Sequence, residues 1–479
     1  MRHRKSFALL AVLIAVSPPS LHSQTPRSVP LHRALLNPSS LDSLLRPVII
    51  DKMADRYVAG SAIVVVSGDR IIYQGGFGRR EVFQEVPVEV DRTIWRIGSV
   101  TKILTGLAVM QLVNRGRLQL DADVNQYPGP VKLPGTFPEP IQVRHLLTHT
   151  AGFDQLGANR HARNEGAVRP LGKWLADNLV RLHPPGQLAV YDTYGITLAG
   201  YLVEQVSGLS YEDYLKRYIF EPLNMRRSGI AVPPALRADV AVGYEFAGHW
   251  QAVPWEFMNT APASTVNATV TDMGNLLVML LNGGRFEDRQ VLSEAAVRGM
   301  LMRQSSNDPE QPGYGLTFWE DWSFGIPAFS HGGSMTGFGS FLYLVPEHQI
   351  GVFIAYNQES ATLANAAVST LVKALFPESA QSPKFRAGYD GDADLARFAG
   401  TYANAIHNHQ DPARGWRRRP FEVEVSDSGE VVFERVAARR VGPLAFQRPD
   451  GILVTFREDA QHRITHMFVG QTVFERIRQ

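Results

Sequence analysis

Ser99 and Lys102 stand three residues apart in Ile97-Gly98-Ser99-Val100-Thr101-Lys102-Ile103-Leu104, at the head of an apolar stretch whose pattern predicts a buried helix over 100–113. The stretch stops at Asn114-Arg115-Gly116, a common helix C-terminal signal. Positions i and i+3 share a helix face, so the Ser99 hydroxyl and the Lys102 amine can meet. Among apolar neighbours an ammonium loses favour, because desolvation penalises the charged form. A neutral amine can take the proton of Ser99, which makes the serine a nucleophile without a histidine. Near a helix N-terminus, free backbone N–H groups also help stabilise a developing oxyanion. The Ser-x-x-Lys spacing alone is weak, since a capping serine followed by a solvent-reaching lysine has the same form. Two facts set this pair apart. Lys102 sits among Ile103, Leu104, Leu107, Ala108 and Met110, and of the chain's eight lysines it alone has a serine three residues before it.

Two later places offer partners for this pair. Tyr191-Asp192-Thr193 follows the turn Pro184-Pro185-Gly186 and precedes an apolar helical segment over 196–206, so the Tyr191 phenol could share the proton of the Ser99–Lys102 pair. Ser330-His331-Gly332-Gly333-Ser334-Met335-Thr336-Gly337 leads into a strand–turn–strand signal, with the turn at Pro346-Glu347 between runs 340–345 and 350–356. Glycines leading into a strand suit a ligand lying close against backbone. Other candidates are weaker. His145 and His149 share a helix face at zinc-pair spacing, but no glutamate follows His145 and no third ligand is evident, so hydrogen-bonded structural histidines are expected. The glycines at 75, 76 and 78 lack the lysine and spacing of a phosphate loop. His407, His409 and Asp411 read as a solvated loop rather than a metal site, as does Arg417-Arg418-Arg419.

The elements that must hold these residues follow a plain pattern. Residues 41–57 are helical in period, and further helices are expected at 211–218 and 271–281. The runs 61–67 and 70–74, joined at Gly68-Asp69, form a β-hairpin. After residue 393 the character changes to period-two alternation at 421–425, 431–434, 444–446, 452–456, 464–468 and 473–477, an all-β meander able to close as a small barrel. Short polar residues between Pro377 and Pro383 mark a linker. The expected divisions are a signal segment 1–23, a main domain 24–378, a linker 379–392 and a β domain 393–479.

Arg2, Arg4 and Lys5 precede an apolar run over 7–16, the layout of a secretory signal peptide too short to span a bilayer. Its removal takes away three positive charges and turns the formal net charge from +2 to −1, so charge gives no argument for a nucleic-acid partner. The chain has no cysteine, which excludes disulfides, thiolate metal sites and a cysteine nucleophile. No other run is long enough for a transmembrane helix. A protein acting outside the cytoplasm, secreted or periplasmic, is expected.

Together, Ser99-Val-Thr-Lys102, Tyr191-Asp-Thr193 and His331-Gly-Gly333 resemble, in order and separation, the three motifs of the serine β-lactamase and penicillin-binding-protein superfamily, in its class C-like branch that includes esterases and D-amino-acid peptidases. Arg144-His-Leu-Leu-Thr-His-Thr-Ala-Gly152 and Tyr194-Gly-Ile-Thr-Leu-Ala-Gly200 are similar to the family as well. The resemblance spans about residues 40–375, and the final residues resemble the lipocalin-like β-barrel often appended to such hydrolases. It implies an α+β fold: an antiparallel sheet of five or more strands with helices on both faces, an all-helical region, and the site between them. It implies that Ser99 forms an acyl-enzyme, that Lys102 and Tyr191 manage its proton, and that the backbone N–H groups of Ser99 and Ser334 make the oxyanion hole. Thr193, His331, Gly332 and Gly333 would line the substrate, a small molecule or peptide. No metal or other cofactor is implied.

Two departures from the family pattern bear on substrate. Thr193 stands where asparagine is usual, with a shorter hydroxyl in place of an amide. His331 stands where true β-lactamases usually carry lysine, and an ordinary histidine is charged only part of the time near neutral pH. Both fit an esterase or a peptidase, such as a D-aminopeptidase or D,D-peptidase, at least as well as an efficient β-lactamase, and Thr193 also leaves open a catalytically weak penicillin-binding-type protein that keeps the pocket but not the rate.

Overall fold

The computed structural model describes residues 29–154, 160–378, 386–389, 391, 394–406, 420–426 and 428–477. The expected signal segment, His407, His409, Asp411 and Arg417-Arg418-Arg419 lie outside the described residues. Five longer helices organise the first part: α1 (Pro38–Arg56), α2 (Thr101–Asn114), α3 (Thr193–Ser207), α4 (Val270–Leu281) and α5 (Ala361–Leu375). The strands are β1 (Gly60–Ser67), β2 (Arg70–Glu81), β3 (Val86–Pro87), β4 (Trp319–Asp321), β5 (Ala328–Met335), β6 (Phe338–Val345) and β7 (Ile350–Tyr356). They form one antiparallel sheet in the order β4-β5-β6-β7-β1-β2-β3, so the first hairpin pairs with the last strand, Ser61 opposite Tyr356.

Both faces of this sheet are covered, and period-two alternation distributes the side chains. On β1, Ala62, Val64 and Val66 join the core shared with α2 and α4, while Ile63 and Val65 face the core made with α1 and α5. A strand buried on both sides reads as a continuous apolar run, which is why Ser61-Ala-Ile-Val-Val-Val-Ser67 is so legible. Helix α2 lies between the sheet and the helical region, with every residue from Thr101 to Leu112 buried. It has no polar face because it is wrapped on all sides. Each leucine or isoleucine fully removed from water there contributes about 1.5–3 kcal/mol relative to exposure.

The final part is a closed eight-stranded barrel: β8 (Gly400–Asn404), β9 (Phe421–Val425), β10 (Val431–Phe433), β11 (Val436–Arg440), β12 (Ala445–Gln447), β13 (Leu453–Glu458), β14 (Ile464–Val469) and β15 (Thr472–Arg476). Strands β9, β10 and β12 to β15 match the alternating runs; β8 and β11 are additional, and β8 closes the ring against β9 and β15. The interior is filled by side chains, among them Phe398, Tyr402, Phe433, Phe446, Phe456 and Met467. It is a packed core of the kind small barrels have.

Candidate active site

Ser99 lies in a 3-10 turn, Gly98–Val100, that runs straight into α2. Two glycines let β5 come up against this turn. A Cβ at Gly98, whose φ is +52°, would sit 2.8 Å from the backbone nitrogen of Ser334. A Cβ at Gly333 would fall 2.1 Å from the Ile97 carbonyl oxygen and 2.3 Å from Ser340 Oγ. With no side chain at either position, the backbone of β5 at Gly333 and Ser334 packs directly on the turn that carries Ser99. Strand β4 pairs only with Ala328, Phe329 and Ser330, so residues 331–335 of β5 form the outer edge of the sheet next to the serine. The Ser334 side chain turns away, its hydroxyl donating to Glu359.

Lys102 is fully buried. Its Nζ lies 3.0 Å from Ser99 Oγ and donates to the carbonyl of Ala263 at 2.8 Å, on a short helix, Ala261–Ser264. Burial, helped by the positive charge of Arg160 and opposed by Asp192, brings the amine down from 10.5 to about 7. Near neutral pH a large share of Lys102 is therefore an unprotonated base.

Enclosure pushes the Tyr191 phenol well above its ordinary value of 10, against the neighbouring Ser99 hydroxyl and Arg160, which pull it down. Its ring sits in an aromatic cage: His149 at 4.8 Å between centroids, Trp319 at 5.8 Å edge-on and His331 at 6.1 Å. Lys102 Nζ lies 4.9 Å from the same ring. The next residue, Asp192, caps α3: its Oδ1 accepts from the Tyr194 N–H at 2.7 Å, and its own N–H donates to His149 Nδ1 at 3.0 Å. Thr193 is buried in the first turn of α3.

His331 differs from expectation. Its ring is buried and stacked on Trp319 at 4.7 Å, and burial, aided by Lys102, brings it down from 6.5 to about 3. It is a neutral imidazole at every pH near neutrality, not a part-time cation. Its Nδ1 lies 2.7 Å from the Gly332 carbonyl, which can only accept, so that nitrogen carries the proton. Gly332 and Gly333 lie on the free edge of β5.

His145 and His149 are separately engaged: His145 Nδ1 accepts from the Gln142 N–H at 3.1 Å, while His149 serves Asp192. Among the described residues no group of three or more histidine, cysteine, aspartate or glutamate side chains could hold a metal ion. The sequence reading missed Trp319, Tyr314, which packs edge-on to His149 at 5.2 Å, and the Ala263 carbonyl. Trp319 takes its place only through strand pairing, opposite Ser330, and the Ala263 carbonyl only through the packing of a four-residue helix against Lys102.

A large antiparallel sheet layered by helices thus holds the part-buried Ser99 and the fully buried Lys102 side by side. Residues 45–374 match the family described as Beta-lactamase, and the chain belongs to that family. Penicillin-binding protein 4 of Amycolatopsis lactamdurans is 27% identical over 369 residues, which cover 73% of this chain and 94% of that protein. Penicillin-binding protein 4* of Bacillus subtilis is 22% identical over 336 residues, 66% of this chain and 71% of that protein. The solved octameric penicillin-binding protein homologue from Pyrococcus abyssi superposes with a TM-score of 0.61 at 25% identity, over 91% of this chain and 98% of the other. That share exceeds what residues 1–378 alone could supply, so the likeness includes the barrel. Among the described residues no helix is long and apolar enough to cross a membrane.

Proposed function

We propose that this protein is a serine hydrolase that forms an acyl-enzyme on Ser99 and cleaves an ester or amide. The observation that carries the reading is the fully buried Lys102 amine, 3.0 Å from Ser99 Oγ and brought down to about 7. Neutral Lys102 takes the Ser99 proton as Oγ attacks the substrate carbonyl, and the N–H groups of Ser99 and Ser334 hold the resulting oxyanion. The proton held by Lys102 passes through the Tyr191 hydroxyl to the leaving alkoxide or amine as the scissile bond breaks. In the second half, water attacks the acyl carbon and gives its proton to the same Tyr191–Lys102 pair, and Ser99 takes back a proton as it leaves. Gly332 and Gly333 offer the free strand edge to an extended substrate.

The neutral, enclosed His331 supplies no cation for a carboxylate, which favours esters and amides without one over β-lactams. A D-aminopeptidase or D,D-peptidase acting on cell-wall peptides is the peptide form of this reading, supported by the relatives called penicillin-binding proteins. The N-terminal layout supports action outside the cytoplasm, with residues 1–23 as the exported signal, 24–378 as the hydrolase domain, 379–392 as linker and 393–479 as the β domain. Thr193 borders the catalytic tyrosine as a substrate-side residue.

The test is intact-mass spectrometry of the mature protein with a fluorophosphonate and with a penicillin, beside Ser99→Ala. A single fluorophosphonate adduct that vanishes in Ser99→Ala is expected, with the penicillin adduct slow or absent. An unlabelled wild-type protein overturns the reading.

A further inference from the structure

The loop that carries Tyr191 is gripped by the barrel. Arg457 on β13 donates to the carbonyls of Gln187 at 3.1 Å and Asn307 at 2.6 Å. Asn307 in turn grips Ala189 by both backbone groups: its Oδ1 accepts from the Ala189 N–H at 2.8 Å, and its Nδ2 donates to the Ala189 carbonyl at 2.7 Å. On either side of Ala189, Leu188 and Val190 pack with Ala405, Phe468 and Val473 of the barrel in a small apolar cluster of their own. Tyr191 is the next residue.

The opposite wall of the cage is tied to the same barrel. Gln311 donates to the Leu453 carbonyl at 2.9 Å and accepts from the Gly470 N–H at 3.0 Å. Gln471 donates to the carbonyls of Gly313 and Glu320, which flank Tyr314 and Trp319. The barrel thus holds the strip that carries Tyr191 and the strip that brings Trp319 to its cage.

We infer that the barrel is a working part of the catalytic site, and that Arg457 is a positioning residue acting through Asn307 on the loop that places the Tyr191 hydroxyl against Ser99. A loop with no secondary structure of its own takes its geometry from what packs on it. Reacting groups tolerate little error, since a misplacement of about 1 Å costs on the order of 100-fold in rate. The inference rests on the reading of Ser99 as nucleophile and Tyr191 as its proton partner.

The experiment uses the full chain and a fluorophosphonate probe, with the Ser99 adduct followed by intact mass against time and probe concentration. Arg457→Ala, Asn307→Ala, their double variant and Arg463→Ala are compared; Arg463 is exposed on the barrel and pairs with Asp459. Arg457→Ala is expected to lower the maximal labelling rate tenfold or more, with the half-saturating probe concentration within twofold of wild type. The double variant should be slowed by less than the product of the single effects, because Arg457, through Gln187 and Asn307, and Asn307, through Ala189, hold the same loop. Arg463→Ala should label as wild type. A labelling rate for Arg457→Ala within twofold of wild type overturns the inference, as do single effects that multiply in the double. Should Arg457→Ala fail to fold, Gln471→Ala carries the same expectation and the same overturning result. Absence of label on wild-type Ser99 would instead sink the nucleophile reading itself.

Discussion

The Ala263 carbonyl accepts a hydrogen bond from Lys102 Nζ at 2.8 Å while Ser99 Oγ lies 3.0 Å from the same nitrogen. One contact orients the amine and the other gives it work. The geometry gives a buried lysine, costly to the fold, a fixed direction, and the proposed mechanism uses it as the base.

The rate at which a fluorophosphonate phosphonylates Ser99, with loss of fluoride, should therefore rise with pH through a midpoint near 7, the value to which burial brings Lys102. A midpoint above 9 would show the amine to be solvated in the working protein. Stopped labelling at a series of pH values reads this directly.

The same lysine opposes folding. Its folded value lies below its unfolded 10.5, so between about 7 and 10.5 the unfolded chain binds the extra proton and stability rises with pH. Lys102→Met should abolish labelling yet stabilise the protein at pH 7 by on the order of 1–4 kcal/mol, a gain that shrinks towards pH 10. Denaturant melts of both proteins at pH 7 and pH 10 check the sign.

Tyr191→Phe keeps the ring in its cage of His149, Trp319 and His331 and removes only the hydroxyl. Turnover of p-nitrophenyl butyrate should fall by about 100-fold or more, the worth of a positioned acid–base group. The melting temperature should stay within a degree or two of wild type.

Gly332 and Gly333 are neighbours with opposite expectations. A methyl at Gly333 runs into the Ile97 carbonyl and Ser340, so Gly333→Ala must push β5 off the Ser99 turn and carry the Ser334 N–H with it. A loss of about 100-fold in labelling rate is expected, on the scale of one lost oxyanion donor. The nearest atom to a methyl at Gly332 is 3.8 Å away, and Gly332→Ala should fold with wild-type stability. Equal labelling rates for the two variants would rule out Ser334 as a donor.

Acid should unfold the protein through its buried imidazoles. Burial brings His145 and His466 to about 4 and His331 to about 3, and takes His149 well below its ordinary 6.5. Each is neutral in the fold and charged in the unfolded chain between those values and 6.5, so their stability is complete above 6.5 and is lost as pH falls. Unfolding at pH 5 should take up nearly four protons on their account, roughly one for each imidazole. Calorimetry in buffers of different ionisation enthalpy measures the uptake, and less than one proton would contradict it.

The serine–lysine pair was legible because it is local: an i, i+3 spacing inside an unbroken apolar run. The hairpins were legible because Gly68-Asp69 and Pro346-Glu347 mark their turns. The aromatic cage was not, since Trp319 and Tyr314 meet Tyr191 and His149 only after β4 pairs with β5. Strand β11 escaped because its Val-Ala-Ala-Arg-Arg reads as polar. Arg440 is nevertheless buried there, donating to the carbonyls of Gly391, Gly442 and Pro443, a satisfaction that composition does not reveal. Helix α5 carries the i, i+3/i+4 pattern openly in Leu363, Ala367, Leu371 and Leu375; the expectation had stopped at Tyr356.

The pairing of β1 with β7 also sets a timetable for synthesis. Ser61 leaves the ribosome long before Tyr356, its partner across the sheet, and the contacts that close the core span most of the chain. Such long-range closure is slow, and the first hairpin waits with an unpaired edge. The edge strand that packs on the Ser99 turn is translated only in that late interval, so a growing chain holds the serine and the lysine long before the strand that lies beside them.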